Sequence, residues 1–204
     1  MFITFEGPEG GGKTTQIAQL AQFLEKKGHS VICTREPGGT AIGDQIRVTL
    51  LALENTEMHP RTEALLLQAS RAQLVEEIII PNLKKGEIIL CDRYADSTLA
   101  YQGYGHQHDL ESLRKIIYYA TGGLKPDLTI LLDLEVKEGL NRRHAAGGVN
   151  RLDSLDLDFH RRVREGYRQL AIADPKRWVI IQANRPIENI QREIREVVLR
   201  TLGE

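Results

Sequence analysis

Five short runs of β-branched and aliphatic residues punctuate the chain: FITFE (2–6), SVICT (30–34), EIILC (87–91), LTILLDL (128–134) and WVIIQA (178–183). None alternates strictly between apolar and polar positions, so each reads as a strand covered on both faces. Between them, apolar residues recur at steps of three and four, notably in TTQIAQLAQFLEKKG (14–28), TEALLLQASRAQLVEEII (62–79) and DLDFHRRVREGYRQLAIA (156–173). That spacing predicts amphipathic helices. Strand and helix in alternation predict an α/β fold: a parallel sheet joined by right-handed crossovers, with helices on both faces. A last amphipathic segment, PIENIQREIREVVLRTL (186–202), packs on the outside. Pro186 suits its opening, where a missing N–H costs nothing.

With 204 residues and no repeat or evident linker, the chain reads as one domain, 1–204, with one substantial core. Its formal charge is −1, from 27 Lys and Arg against 28 Asp and Glu. Nothing global therefore attracts nucleic acid or a membrane surface, and any anion site must be local. Cys33 and Cys91 both sit in apolar runs, which predicts buried thiols rather than a disulfide, and a reducing compartment. No stretch reaches 18 apolar residues and the N-terminus does not read as a leader, so a cytoplasmic protein is expected.

Residues 7 to 14, GPEGGGKT, supply that local site. They match the phosphate-loop pattern, between a predicted strand and a helix starting near Lys13. Glycines let consecutive N–H groups turn inward around phosphate oxygens, and the helix N-terminus adds donors and a favourable dipole. Gly7, Pro8, Glu9, Gly10, Gly11, Gly12, Lys13, Thr14 and Thr15 are thus candidates for binding ATP. Lys13 would bridge the β and γ phosphates, and the Thr14 hydroxyl would hold Mg²⁺. A carboxylate at Glu9 would repel phosphate on its own, so it serves Mg²⁺ through water, orders a neighbouring group, or stands as an exposed loop acid.

EIILCDRY ends a second buried strand in Asp92 and Arg93. Asp92 can be the second acidic group near Mg²⁺, and Arg93 can fork two donors onto a phosphate. Alternatively the two pair with each other and fasten the strand end. Arg35 precedes a Pro-Gly-Gly turn. Arg47 lies on a probable helix, either solvated or turned to a ligand. Arg71 interrupts an apolar helix, and by itself reads as snorkelling from the edge rather than reaching inward. Together, Arg35, Arg47, Arg71 and Arg93 exceed what one triphosphate needs and point to a second anionic ligand. A GTP switch would not use them, and neither DxxG nor N/TKxD occurs where it should. Arginines around a Gly-Gly pair in residues 139–157 read either as a solvated turn or as a cationic flap.

Taken together, FEGPEGGGKTTQ, REPGGT, TEALLLQASRAQ, CDRYADSTLAYQG, NRLD and FHRRVREGYRQLA resemble the thymidylate kinase family over nearly the whole chain. The resemblance implies a three-layer P-loop NTPase fold with a five-stranded parallel sheet, and a nucleoside monophosphate kinase domain with an arginine-bearing lid at about 139–153. It implies transfer from ATP to dTMP, and a cytosolic homodimer. The catalytic residues it implies are Lys13, Asp92, Arg93, Arg143 and Arg151. The implied dTMP set is Glu9, Arg35, Arg47, Leu67, Arg71, Arg93, Ser97, Thr98, Tyr101, Gln102 and Tyr167, with Arg71 at the thymine edge. Positions 10 and 11 are both glycine while Arg142, Arg143 and Arg151 flank the lid, so the chain looks like the type that carries its transition-state arginine there. QANRPIE is similar to a family loop near adenine, with Asn184 or Arg185 as contacts. The competing readings are a kinase for another nucleoside monophosphate and a regulatory ATP-binding protein.

Two positions depart from the family. His106 stands near a common arginine and is assigned no catalytic role. Leu67 stands where a phenylalanine commonly stacks on thymine. Offset stacking adds about 0.5–1.5 kcal/mol beyond burial. Leu67→Phe should therefore tighten dTMP binding about twofold to tenfold by isothermal titration; an unchanged dissociation constant removes Leu67 from the base pocket.

Overall fold

A computed structural model describes residues 1–147 and 150–204. Gly148 and Val149, inside the predicted lid, lie outside the described residues. Five parallel strands form one sheet in the order β2-β3-β1-β4-β5. Their ranges are β1 Phe2–Glu6, β2 Val31–Arg35, β3 Ile88–Asp92, β4 Leu128–Asp133 and β5 Trp178–Gln182.

The three inner strands are apolar on both sides because both sides are covered. Ile3, Phe5, Leu90, Ile130 and Leu132 pack on one face beneath α1 (Lys13–Lys26) and α9 (Ile187–Leu202). From the other face, Leu131 joins Phe159, Val163 and Tyr167 of α8 (Leu157–Ala173), while Phe2, Ile89 and Cys91 meet Leu74 of α3 (Pro60–Leu74). Each inner residue that changes side changes core, which explains why no strand alternates. β2 is an edge with one neighbour, and there the expectation of two buried thiols fails for one: Cys91 is buried but Cys33 is exposed.

The remaining helices carry the site. α2 (Ala41–Leu51) is capped by Thr40, whose hydroxyl accepts from Gly43 N. α3 passes through a π-helical turn, Val75–Ile79, into α4 (Ile80–Lys84). α5 (Ala95–Thr98) runs into a longer π-helical turn, Leu99–Gly105, a distortion frequent where side chains are aimed at a ligand. α6 (Leu110–Thr121) and α7 (Val136–Ala146) complete the order. α1 has no side-chain cap. Gly12 holds its N-cap at φ 82, leaving the first-turn N–H groups facing the loop.

Between the phosphate loop and α7 there is no room for a side chain. A Cβ on Gly139, in α7, would lie 2.2 Å from Glu9 O, and one on Gly10, at φ +68, would lie 2.2 Å from Gly139 O. Two backbones touch, so α7 rests on the loop itself. Gly139 has no positive φ, which makes its constraint purely steric. Gly139→Ala should destabilise the protein by about 1–3 kcal/mol in urea unfolding and weaken ATP binding; wild-type values for both would show that the helix yields freely.

Candidate active site

A cavity of about 440 Å³ opens over the carboxyl ends of β3 and β1. Glu9 through Thr15 line it from the loop, and Leu67, Arg71, Thr98 and Gln102 from α3, α5 and the π-helical turn that follows α5. Arg35, Arg47, Asp92, Arg93, Ser97, Tyr101, Arg142 and Arg143 line it too. Residues from six separate stretches of sequence thus meet in one hollow at strand ends, where α/β sheets bind ligands.

Lys13 is buried, and its Nζ donates to Gly7 O at 3.1 Å and Pro8 O at 3.0 Å. Burial and the neighbouring Arg93 pull its pKa down. The ammonium is held by loop carbonyls at the place where phosphate oxygens would accept from it. The Thr14 hydroxyl donates to Asp92 Oδ2 at 2.8 Å. Asp92 therefore pairs with the loop and not with its neighbour Arg93.

Arg93 turns back over the loop from a left-handed backbone, φ 69. That conformation is strained for a side chain this large and clusters at functional sites. Its Nη2 donates to Glu9 Oε1 at 2.8 Å, and its Nη1 to Gly7 O at 3.0 Å and to the Tyr167 hydroxyl at 2.8 Å. Tyr101 Oη also donates to Glu9 Oε1, at 2.6 Å, under a guanidinium 5.0 Å from its ring centroid. Glu9 is accordingly an ordering group. Burial pushes its carboxyl up, but Arg93 and Lys13 outweigh this and hold it at about 2.

Arg71 departs from expectation. Rather than snorkelling, it is 1% exposed. Its Nε and Nη2 grip Glu36, Nη1 donates to Gln68 Oε1 at 2.6 Å and Thr98 Oγ1 at 3.0 Å, and Nη2 also reaches Tyr94 O at 3.0 Å. All five N–H donors have partners, so a base edge meeting Arg71 must share one. Arg47 donates to Pro37 O at 2.8 Å, and Arg35 pairs with Asp44 at 3.1 Å.

Arg142 and Arg143 reach the cavity. Arg142 is tied to Ala183 O and Glu138, and Arg143 Nε donates to Asp153 Oδ2 at 3.0 Å. Arg151, expected at the transferring phosphoryl group, stands behind the wall and pairs with buried Glu63. Tyr167 lies beneath the cavity and supports Arg93 and Ser97. Asn184 and Arg185 do not line it; Arg185 pairs with Glu193.

Sequence reasoning missed Glu6. Fully buried at the end of β1, it accepts from Tyr94 N at 2.9 Å, Ser97 Oγ at 2.6 Å and Tyr167 Oη at 2.9 Å. A carboxylate ending an apolar strand was the available signal.

A family model described as thymidylate kinase matches residues 5–194. The chain belongs to the thymidylate kinase family. A thymidylate kinase of Roseiflexus sp. (strain RS-1) is 50% identical, covering 97% of this chain and 93% of its own. One from Deinococcus radiodurans is 52% identical over 95% and 94% respectively. The crystal structure of thymidylate kinase from Ehrlichia chaffeensis superposes with a TM-score of 0.82 at 32% identity, covering 97% of this chain and 98% of that one. The three-layer P-loop arrangement is thus the fold of this family.

Burial first, and then Asp96, push the Glu6 carboxyl up to about 7 from 4.5. The folded protein then holds a proton that the unfolded chain releases, so Glu6 contributes stability below pH 4.5 that is lost as pH rises towards 7. The span corresponds to about 3 kcal/mol. Glu6→Gln removes the titration, so its stability relative to wild type should increase between about pH 5 and pH 8 in denaturant melts. A pH-independent difference would place the Glu6 proton elsewhere.

Proposed function

We propose that this chain transfers the γ-phosphoryl group of ATP to dTMP, giving dTDP and ADP. One observation carries the reading: a single cavity is lined by the phosphate loop, by Leu67, Arg71 and Gln102, and by Arg93. It offers room for donor phosphates and an acceptor nucleotide facing each other.

ATP phosphates lie in the cradle of Gly7 to Thr15, where Lys13 exchanges the carbonyls of Gly7 and Pro8 for phosphate oxygens. Arg93, Arg47 and Arg35 neutralise and orient the acceptor phosphate. An oxygen of that phosphate attacks the γ-phosphorus in line; the new P–O bond forms as the bond to the β-phosphate bridging oxygen breaks. No general base is required, since the acceptor is already ionised near neutral pH. The task is alignment and charge stabilisation. Arg143, with Arg142 beside it, meets the charge on the transferring group and helps exclude water.

At the acceptor end, Leu67 covers the base face, with Ser97, Thr98 and Tyr101 beside the base and sugar. Thr14 and Asp92 present a hydroxyl and a carboxylate to the same point, 2.8 Å apart. These are the hard oxygen donors that suit Mg²⁺, with Glu9 joining through water. The ion supplies charge neutralisation to the β and γ phosphates.

A cytoplasmic homodimer completes the reading. Val48 on α2, Leu65 on α3 and Tyr118 and Tyr119 on α6 are exposed apolar side chains that a second copy can cover. Among the described residues, no helix is long and apolar enough to cross a membrane.

A coupled ADP-release assay with ATP, Mg²⁺ and dTMP, dUMP, dCMP, dGMP or UMP tests the reaction, with product mass confirmed. Selective turnover with dTMP is expected. Folded protein that binds ATP but shows no acceptor-dependent turnover would instead be a regulatory nucleotide-binding protein.

A further inference from the structure

Glu63, on α3, lies outside the cavity wall, and no step of the transfer calls for it. Its side chain is 1% exposed. A carboxylate so buried is unfavourable unless donors satisfy it. Separate segments provide them. Gln102 Nε2, from the π-helical turn, donates to Oε1 at 2.6 Å. Arg151 Nη2, from the turn after α7, donates to Oε2. His106 Nε2 stands 3.4 Å from Oε1. Burial pushes the Glu63 carboxyl up, but His106, Arg151 and Gln102 outweigh it and keep it below the ordinary value.

The first consequence falls on Gln102. An ionised carboxylate only accepts, so it fixes which end of the amide faces it. The other end, Oε1, is buried without a protein partner, in a residue that lines the cavity. An acceptor there suits a base with an imide N–H. It opposes a base whose ring nitrogen offers only a lone pair.

The second consequence falls on the turn Asn150–Asp153. Arg151 Nε donates to Leu50 O at 3.2 Å, pinning this turn to the end of α2. Asn150 Oδ1 closes it by accepting from Leu152 N at 2.9 Å and Asp153 N at 3.2 Å. Asp153 Oδ2 accepts in turn from Arg143 Nε at 3.0 Å. Side-chain contacts and the covalent turn at 150–153 therefore join Gln102 to Arg143, both of which line the cavity.

We propose that Glu63 is a positioning residue: it sets the Gln102 amide for an imide N–H and, through Arg151, fixes the turn that holds Arg143. This rests on the dTMP kinase reading. Arg151 then acts through Glu63 and does not touch the transferring group.

The test uses Glu63→Gln, Arg151→Met and the double variant, which removes both charges and leaves no lone buried ion. Glu63→Gln should raise KM for dTMP about 3- to 30-fold and shrink the dTMP over dCMP preference in kcat/KM, because glutamine lets the Gln102 amide turn. Both single variants should lower kcat by a similar factor, and the double should fall no further. Effects on kcat that multiply in the double would overturn the proposal. So would lower melting temperatures with unchanged KM, kcat and selectivity. Amide hydrogen exchange without substrate provides a readout independent of turnover: Glu63→Gln should speed exchange at both 101–105 and 150–154, and unchanged rates overturn the bridge. A wild-type protein inactive on dTMP would sink the kinase reading alone, leaving exchange to judge the bridge.

Discussion

The half-buried guanidinium of Arg93 holds the site in shape. It grips the Gly7 carbonyl and the Glu9 carboxylate at the loop, and the Tyr167 hydroxyl on α8, from a backbone position that strains its own residue. Leaving either charge of such a pair without its partner, largely out of water, is unfavourable. The loop therefore cannot relax away from β3 cheaply, and Lys13 keeps its place on the loop carbonyls. An arginine that lines the cavity thus also tensions the framework around it, so the cavity and the fold draw on the same contacts.

Two other cavity arginines follow the same logic. Glu36 holds Arg71 and Asp153 holds Arg143. Each carboxylate fixes an arginine before any ligand arrives, and fixed dipoles need no reorganisation as charge develops. This pairing also reconciles a net charge of −1 with an arginine-rich cavity: the positive field is concentrated by geometry, not by composition.

The strands and the phosphate loop were legible because their signals are local. Apolar runs placed β1 at its observed ends, and placed β2 and β3 one residue early. α3 begins at Pro60, ahead of the predicted Thr62, because the His59 side chain accepts from Arg61 N and caps it. What stayed hidden depends on distant partners. Arg71 is buried because Glu36 lies 35 residues away to receive it. Glu63 and Arg151 are 88 residues apart, and Glu6 and Tyr167 are 161 apart. No periodicity encodes such pairs. Cys33 was misread because an apolar run does not reveal whether its strand is an edge.

The contact between Gly10 and Gly139 also bears on how such a molecule can change over time. A loop arginine at position 10 would need the space that the α7 backbone fills, and would need it from a glycine at positive φ. An arginine at position 10 therefore takes more than one substitution: the helix must retreat first, because two backbones in contact leave no side-chain rotamer that could make room.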